Sequence, residues 1–262
     1  CHHSKSFRDL MRQLVVSDFH LDSTEPARYR AAMASINRCP CDQLILAGDI
    51  FDAWVGDDNA SPLDDEFLDF CGNFGADTQF ILGNRDFLMS EEYLAQRGIR
   101  LVDRVAESQL VIIHGDELCT LDHDYQAFKQ EVRDPTWMSN FLDKPLNERQ
   151  QIAQGLRQAS LETQANRAEA IGDAVESEVH DWMVRFDTQL LVHGHTHRPA
   201  IHLTSLGLRA VTSDWGDSGV GVLIDYQDAQ QSVSLIHLAP SAMTEHERWS
   251  RQAGTPEWKR NS

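Results

Sequence analysis

Gln43-Leu44-Ile45-Leu46-Ala47-Gly48-Asp49-Ile50-Phe51-Asp52 is an apolar run that ends in a glycine and two carboxylates. A short run of this kind reads as a buried strand with acids at its carboxyl end. The pattern recurs four times. Asp18-Phe19-His20 follows an apolar segment at 13–17, Gly83-Asn84-Arg85-Asp86 one at 79–82, His114-Gly115-Asp116 one at 110–113, and Gly194-His195-Thr196-His197 one at 189–192. In open α/β sheets ligands gather at the carboxyl ends of strands, so the five motifs are expected to meet in one crevice.

Working outward, helix-favouring stretches at 26–37, 63–74 and 91–98 alternate with the early strands, giving a βαβ pattern. After His197 the segments 199–203, 208–213, 219–225 and 232–238 read as strands with few helices between them, as in a second, more antiparallel sheet. The expected fold class is α/β, a four-layer α/β/β/α sandwich over residues 8–240. Residues 121–187 interrupt the alternation with a polar, helix-favouring stretch broken at Asp134-Pro135 and Lys144-Pro145. This reads as a helical cap inserted over the crevice. Residues 241–262 are polar with little periodicity and are expected to form a loosely held tail.

The 262 residues carry a formal charge of −18. That argues against a nucleic-acid binder, whose affinity rests on Lys and Arg neutralising phosphates. For an enzyme acting on phosphates, bound cations would reverse the sign locally. No apolar run approaches the roughly 18 residues needed to cross a bilayer, and no cationic segment followed by an apolar one predicts secretion. Five cysteines, odd in number and without zinc-ribbon spacing, read as free thiols in a reducing compartment.

The motifs supply carboxylates, imidazoles and one amide, enough for two adjacent divalent metals. Such a pair stabilises both the attacking and the leaving oxygen in phosphate hydrolysis. Asp18 and His20 alternate around Phe19, which would put both on one side of the strand end and on the first metal. Asp49 is the candidate bridge. Asn84, His114 and His195 would complete the second metal, and His197 would return to the first. Asp52 and Asp116 are expected to orient ligand histidines. Glycines 48, 83, 115 and 194 let the backbone turn or come close to the metals. His193 and the other histidines are assigned no ligand role. Each fragment alone is common; the ordered set of five is specific.

That order and content resemble the calcineurin-like metallophosphoesterase family across residues 13 to 200. One position departs. Where that family usually carries histidine after Gly-Asn, implied to protonate an alkoxide leaving group, this chain has Arg85. A guanidinium stays protonated and cannot donate that proton, but it can grip a phosphate oxygen pair. Arg85 therefore favours a phosphoanhydride, whose leaving group is itself a phosphate.

Further motifs sharpen the resemblance: His114 to Asp122 read as His-Gly-Asp-x-Leu-Cys-Thr-x-Asp, with Tyr125-Gln126-Ala127-Phe128, Val132-Arg133-Asp134-Pro135 and His193 to Pro199. They are similar to the lipid A pathway pyrophosphatases within that family. The resemblance implies manganese at two divalent sites, an acylated UDP-sugar lipid as substrate, and water attack at the phosphorus nearer uridine. It also implies a cytoplasmic protein held peripherally at the inner membrane, taken here as a monomer. Asp49, Arg85 and His195 carry the catalytic roles. The implied substrate contacts are Asn84, Arg85, Asp122, Tyr125, Arg157, Ser160, Gln164, Arg167 and His195. Gln164 stands where those relatives more often have Lys or Asn, and Arg167 where they have Lys.

Read without the resemblance, Arg157, Ser160, Gln164 and Arg167 share one helix face beside an apolar stripe of Ile152, Leu156 and Ala159. That is either a reader of sugar phosphate next to acyl chains or an ordinary amphipathic helix. Trp137, Met138, Phe141, Leu142 and Leu146 are an acyl chamber, a shallow membrane contact or the cap's own small core. Two rivals stand beside the lipid pyrophosphatase. One is a nucleotide pyrophosphatase or phosphodiesterase of the same family; the other is a non-catalytic protein-docking scaffold.

Overall fold

The computed structural model describes residues 10–107, 109–165, 169–227, 229–252 and 255–261. Strands β1 (Leu10–Val16), β2 (Gln43–Leu46), β3 (Asp77–Phe80) and β4 (Arg100–Leu101) lie side by side in parallel. Helices α1 (Pro26–Ile36), α2 (Pro62–Gly72) and α3 (Glu91–Ala95) connect them. The helix starts are chemically specified. Pro26 and Pro62 sit in first turns that need no N–H donor, and Ser61 and Asp64 form a reciprocal capping box.

A second sheet contains β5 (Val105–Glu107), β6 (Leu110–Ile112), β7 (Leu190–His193), β8 (Ala200–Leu203) and β9 (Leu208–Val211), ordered β5-β6-β7-β9-β8. Strand alternation explains the layers. Leu14, Val16, Leu44, Leu46 and Phe80 face the helices, meeting Tyr29, Ile36, Phe67 and Leu94. Val15 and Ile45 face the other way and meet Ile112, Leu190 and Val192 between the sheets. Val111 and Leu191 cover the outer side of the second sheet against Val179 and Met183 of α7 (Glu176–Arg185). The result is helix, sheet, sheet, helix.

Three features differ from the sequence reading. Strands β10 (Gly219–Gln227) and β11 (Gln230–Ala239) join the first sheet, antiparallel to β1, instead of the second. The stretch expected as a loose tail forms β12 (Ala242–Gln252) and β13 (Lys259–Arg260), which extend that sheet. Backbone hydrogen bonds to β11 hold β12, whose first half is exposed and so lacks an apolar pattern. Finally, α7 belongs to the sandwich's outer helix layer and not to the cap.

The remaining helices of the stretch, α4 (His123–Val132), α5 (Pro135–Leu142) and α6 (Leu146–Ala165), lie over the strand ends. Trp137, Met138, Phe141 and Leu146 extend the main core, with Trp137 and Phe141 stacked at 4.9 Å. They are therefore more than a private core of the cap. Arg149 of α6 is buried and forms an ion pair with Asp58, pinning α6 to the core. Among the described residues no helix is long and apolar enough to cross a membrane.

Candidate metal centre

The carboxyl ends of β1, β2 and β3 in one sheet and of β6 and β7 in the other open onto a single point. Backbone bonds hold the tips together: Asp18 N–H to the Gly48 carbonyl at 3.0 Å, His20 N–H to Asp49 at 3.1 Å, and Gly194 N–H to His114 at 2.8 Å. At these tips the chain leaves the extended state. Asp18, His20, Asp49, His195 and His197 have φ between 48° and 64°, five of the eight non-glycine residues with positive φ among those described. Such conformations cost on the order of 1–3 kcal/mol each and cluster at functional sites. Asp18 and His20 thus reach the same space through two left-handed bends, not through the strand alternation expected for them.

The seven sequence-predicted ligand residues form two neighbouring groups. In the first, His197 Nε2 lies 3.2 Å from Asp18 Oδ1 and 3.4 Å from His20 Nε2. In the second, Asn84 Oδ1 lies 3.0 Å from His114 Nε2 and 2.9 Å from His195 Nδ1, and Asp49 Oδ1 lies 3.7 Å from His114 Nε2. Within each triad, Asp18-His20-His197 and Asp49-His114-His195, one donor atom per residue falls within 4.8 Å of the others. The His195 N–H reaches Asp18 Oδ2 at 3.1 Å, so the groups adjoin. His193 belongs to neither; its Nδ1 turns to the Gly194 carbonyl.

The electrostatics ask for cations. Asp18, Asp49, Asp86 and Asp116 are all essentially buried, and buried carboxylates are costly unless paired. Burial raises the Asp49 carboxyl, and the Asp18 charge adds to that. Burial also opposes ionisation of Asp18, but its bond to His197 and the histidine charges win and hold it below the usual range. Burial would lower His114, yet Asp49, Asp116 and Asp18 push it up to about 9. The same burial takes His20 and His195 down to about 3, so both are neutral and able to donate lone pairs. His114 Nδ1 lies 2.9 Å from the Ala47 carbonyl and donates to it, while Nε2 lies 3.0 Å from the Asn84 oxygen and carries a proton that a bound cation would replace. Oxygen and imidazole donors of this mix suit divalent metals, and the residues fit two of them.

Two glycines admit this crowding. A Cβ on Gly83 would fall 2.2 Å from Asp49 Oδ1, and one on Gly194 2.3 Å from Asp18 Oδ2.

Two assignments need correction. Among the described residues Asp52 bonds no histidine; it bonds Arg85 Nη1 at 3.0 Å and also pairs with Arg157 of α6. Its N–H bonds the Leu21 carbonyl at 2.9 Å, which fixes its backbone beside the first strand's tip. Asp116 begins a helical turn at Asp116–Leu118 and faces α4, taking the Tyr125 hydroxyl at 2.6 Å and Lys129 Nζ at 2.8 Å. Arg85 sits at the centre's edge, its Nε 3.6 Å from Asp49 Oδ2. The Tyr125 ring lies 5.7 Å from that of His195. Asp122, expected at the substrate, caps α4 by accepting from Tyr125 N–H. The helix carrying Ser160 and Gln164 is present, but their side chains, and Arg167 entirely, lie outside the described residues.

Sequence reasoning missed three supports. Asp86 is fully buried and accepts from Gly83 N–H at 2.7 Å and Ile50 N–H at 2.8 Å, tying the β2 tip to the β3 tip. Burial and the Asp49 charge push it up to about 7. Its place as the last acid of Gly-Asn-Arg-Asp was the available signal. Ser17 bonds Asp18 and lies 2.6 Å from the Thr212 hydroxyl, fixing one ligand from both sheets. Asp214 stands 4.0 Å from His197 Nδ1; nothing in its local sequence marks it.

Comparison with known proteins agrees with this geometry. The family profile described as calcineurin-like phosphoesterase matches residues 11–199. A Cellvibrio japonicus protein named UDP-2,3-diacylglucosamine hydrolase is 39% identical over 223 residues, covering 80% of this chain and 93% of the relative. One of the same name from Chromohalobacter salexigens is 35% identical over 219 residues, covering 78% and 89%. The structure of vacuolar protein sorting 29 from Cryptosporidium parvum superposes with a TM-score of 0.50 at 12% identity, covering 93% of this chain and 98% of that one, a likeness of fold alone. With its two donor groups at the tips of two facing sheets, and with these relatives, the chain belongs to the calcineurin-like phosphoesterase family.

Proposed function

We propose that this chain hydrolyses the diphosphate of UDP-2,3-diacylglucosamine, giving UMP and 2,3-diacylglucosamine 1-phosphate. The observation that carries the reading is the convergence of seven donors into two adjacent groups beside Arg85. The names of relatives sharing 35% and 39% identity support the choice of substrate.

Asp18, His20 and His197 would hold one dication and Asn84, His114 and His195 the other, with Asp49 shared. Bound there, manganese ions would neutralise phosphate charge and make hydroxide available from water near neutral pH. The chain's own residues supply the rest. Arg85, held at the edge by Asp52, grips a phosphate oxygen pair and steadies charge as the bridging P–O bond breaks. It gives up no proton, and none is needed: the lipid phosphate departs as an anion. Arg157 shares Asp52 with Arg85, so an incoming diphosphate offers both guanidiniums a more highly charged partner. Tyr125 walls the site next to His195, and Asp122 holds Tyr125 there by capping its helix. Ser160, Gln164 and Arg167 would continue the contact along the chain from Arg157. Exposed Leu121, Phe128, Leu142 and Leu156 of the cap and its approach suit acyl chains and the cytoplasmic surface of the inner membrane.

The test is hydrolysis in oxygen-18 water with manganese, comparing the acylated UDP-sugar with UDP-glucose. Label in UMP and strong preference for the acylated substrate are expected. Equal rates on both, or label in the lipid phosphate, refute the reading.

A further inference from the structure

On the outer face of the second sheet, away from every ligand named above, α7 and the β8–β9 hairpin enclose a cavity of about 490 Å³. That volume lies within the roughly 300–1,000 Å³ of small-ligand sites. Its walls combine two chemistries. Val179, Met183, Leu203 and Leu206 make an apolar lining, while Arg209, with His180 and His202, brings nitrogen groups to the same space; Glu176, at the start of α7, and three hydroxyl side chains complete the walls. Register fixes this. His202 pairs directly with Arg209 across β8 and β9, and Arg209 sits beside Leu191 on the side that faces α7.

Arg209 is partly buried, yet no hydrogen bond or ion pair to it is made by any other described residue. The acids that act on it most, Asp173 and Glu176, stay beyond ion-pair distance, and Asp173 is engaged by Arg198. Burial pulls the guanidinium below its ordinary value, and those acids offset only part of that. Buried charges are normally paired. This one, in a chain with net charge −18, is not.

We propose that this cavity binds an anionic amphiphile, a carboxylate or phosphate head held by Arg209 with a short apolar stem along Val179, Met183, Leu203 and Leu206. Arg209 forms the charge-assisted bonds. His202, on the neighbouring strand, and His180, on α7, flank the head. Leu203, also part of the lining, is 66% exposed. The site is independent of the metal centre, so its failure would leave the hydrolase reading untouched.

Isothermal titration of the full chain with octanoate and octyl phosphate tests this, with acetate and octanol as controls. Saturable binding of the octyl anions is expected, and acetate and octanol should each bind more weakly. Arg209→Gln should weaken the octyl anions by about tenfold or more, the worth of a charge-assisted bond. Leu203→Asp, a change at an exposed lining position, should weaken them too by adding a negative charge to the cavity wall. Arg209→Lys should restore part of the affinity. Absence of saturable binding to the native chain overturns the proposal. So does octyl-anion affinity unchanged by both Arg209→Gln and Leu203→Asp, or octanol or acetate binding as tightly as octanoate.

Discussion

Gly194→Ala tests the metal centre without touching a donor atom. The new methyl would stand 2.2 Å from Ser17 Oγ and 2.3 Å from Asp18 Oδ2. Ordinary van der Waals contact begins near 3.4 Å. The Asp18 carboxylate must therefore retreat by the difference between 3.4 and 2.3 Å, about 1.1 Å. Metal–oxygen bonds of roughly 2.0–2.2 Å do not survive such a displacement. Ser17 offers no escape, because its hydroxyl is engaged with Thr212. Gly194 lies outside the left-handed region, so backbone strain adds nothing and the defect belongs to the contact alone. Affinity for the first metal should fall on the order of 10- to 100-fold, and turnover on the order of 100-fold. Manganese titration and steady-state rates at saturating metal measure these. Gly155→Ala is the control: its methyl meets nothing within 4 Å on α6, so helix propensity should raise stability by about 0.5–1 kcal/mol. Two metals and native turnover in Gly194→Ala would refute the reasoning.

Three other perturbations read different parts of the molecule. Asp86→Ala strands the Gly83 and Ile50 N–H groups, each costing about 1–3 kcal/mol; urea unfolding should show the loss, and an unchanged midpoint would contradict the tie between the tips. Arg85→Ala should lower kcat on the order of 100- to 1,000-fold with metal content unchanged, whereas a rise in KM alone would make it a binding group only. Burial pushes the Cys39 thiol up to about 11, and burial with the Cys39 charge pushes Cys41 up to about 12. The unfolded chain releases these protons from about pH 9 while the folded chain keeps them, so stability is full below pH 9 and falls as pH rises toward 11–12. Urea midpoints at pH 8.5 and 10.5 should differ, and less so in a Cys39→Ala, Cys41→Ala variant.

What the sequence disclosed follows from which forces leave a linear trace. Burial does: the runs around Leu14, Ile45, Val111 and Leu191 mark strands because both faces of each are covered. Donor chemistry also does, since the ligands sit within a few residues of the strands that carry them. Pairing between distant segments does not. Nothing local to Val222 says that it lies opposite Val15, so β10 and β11 went to the wrong sheet. An exposed strand such as β12 is held by backbone bonds that any side chain permits, so it read as a tail. Asp52 and Asp116 read from sequence as functional acids, but not their partners. Arg157, the partner of Asp52, arrives from a helix far along the chain, and Tyr125, though close to Asp116 in sequence, meets it only because α4 folds back over the turn at Asp116–Leu118.

The left-handed bends at the ligand positions impose a second filter on what those positions accept. Asp, Asn and His are the non-glycine residues that tolerate this conformation best, and they are also donors for hard dications. The alphabet of the bend and the alphabet of the metal coincide here. A change that preserves only the donor, such as glutamate for Asp18 or cysteine for His20, answers one requirement and fails the other. Redesigning this centre for a softer ion would therefore mean rebuilding the turns before exchanging the ligands.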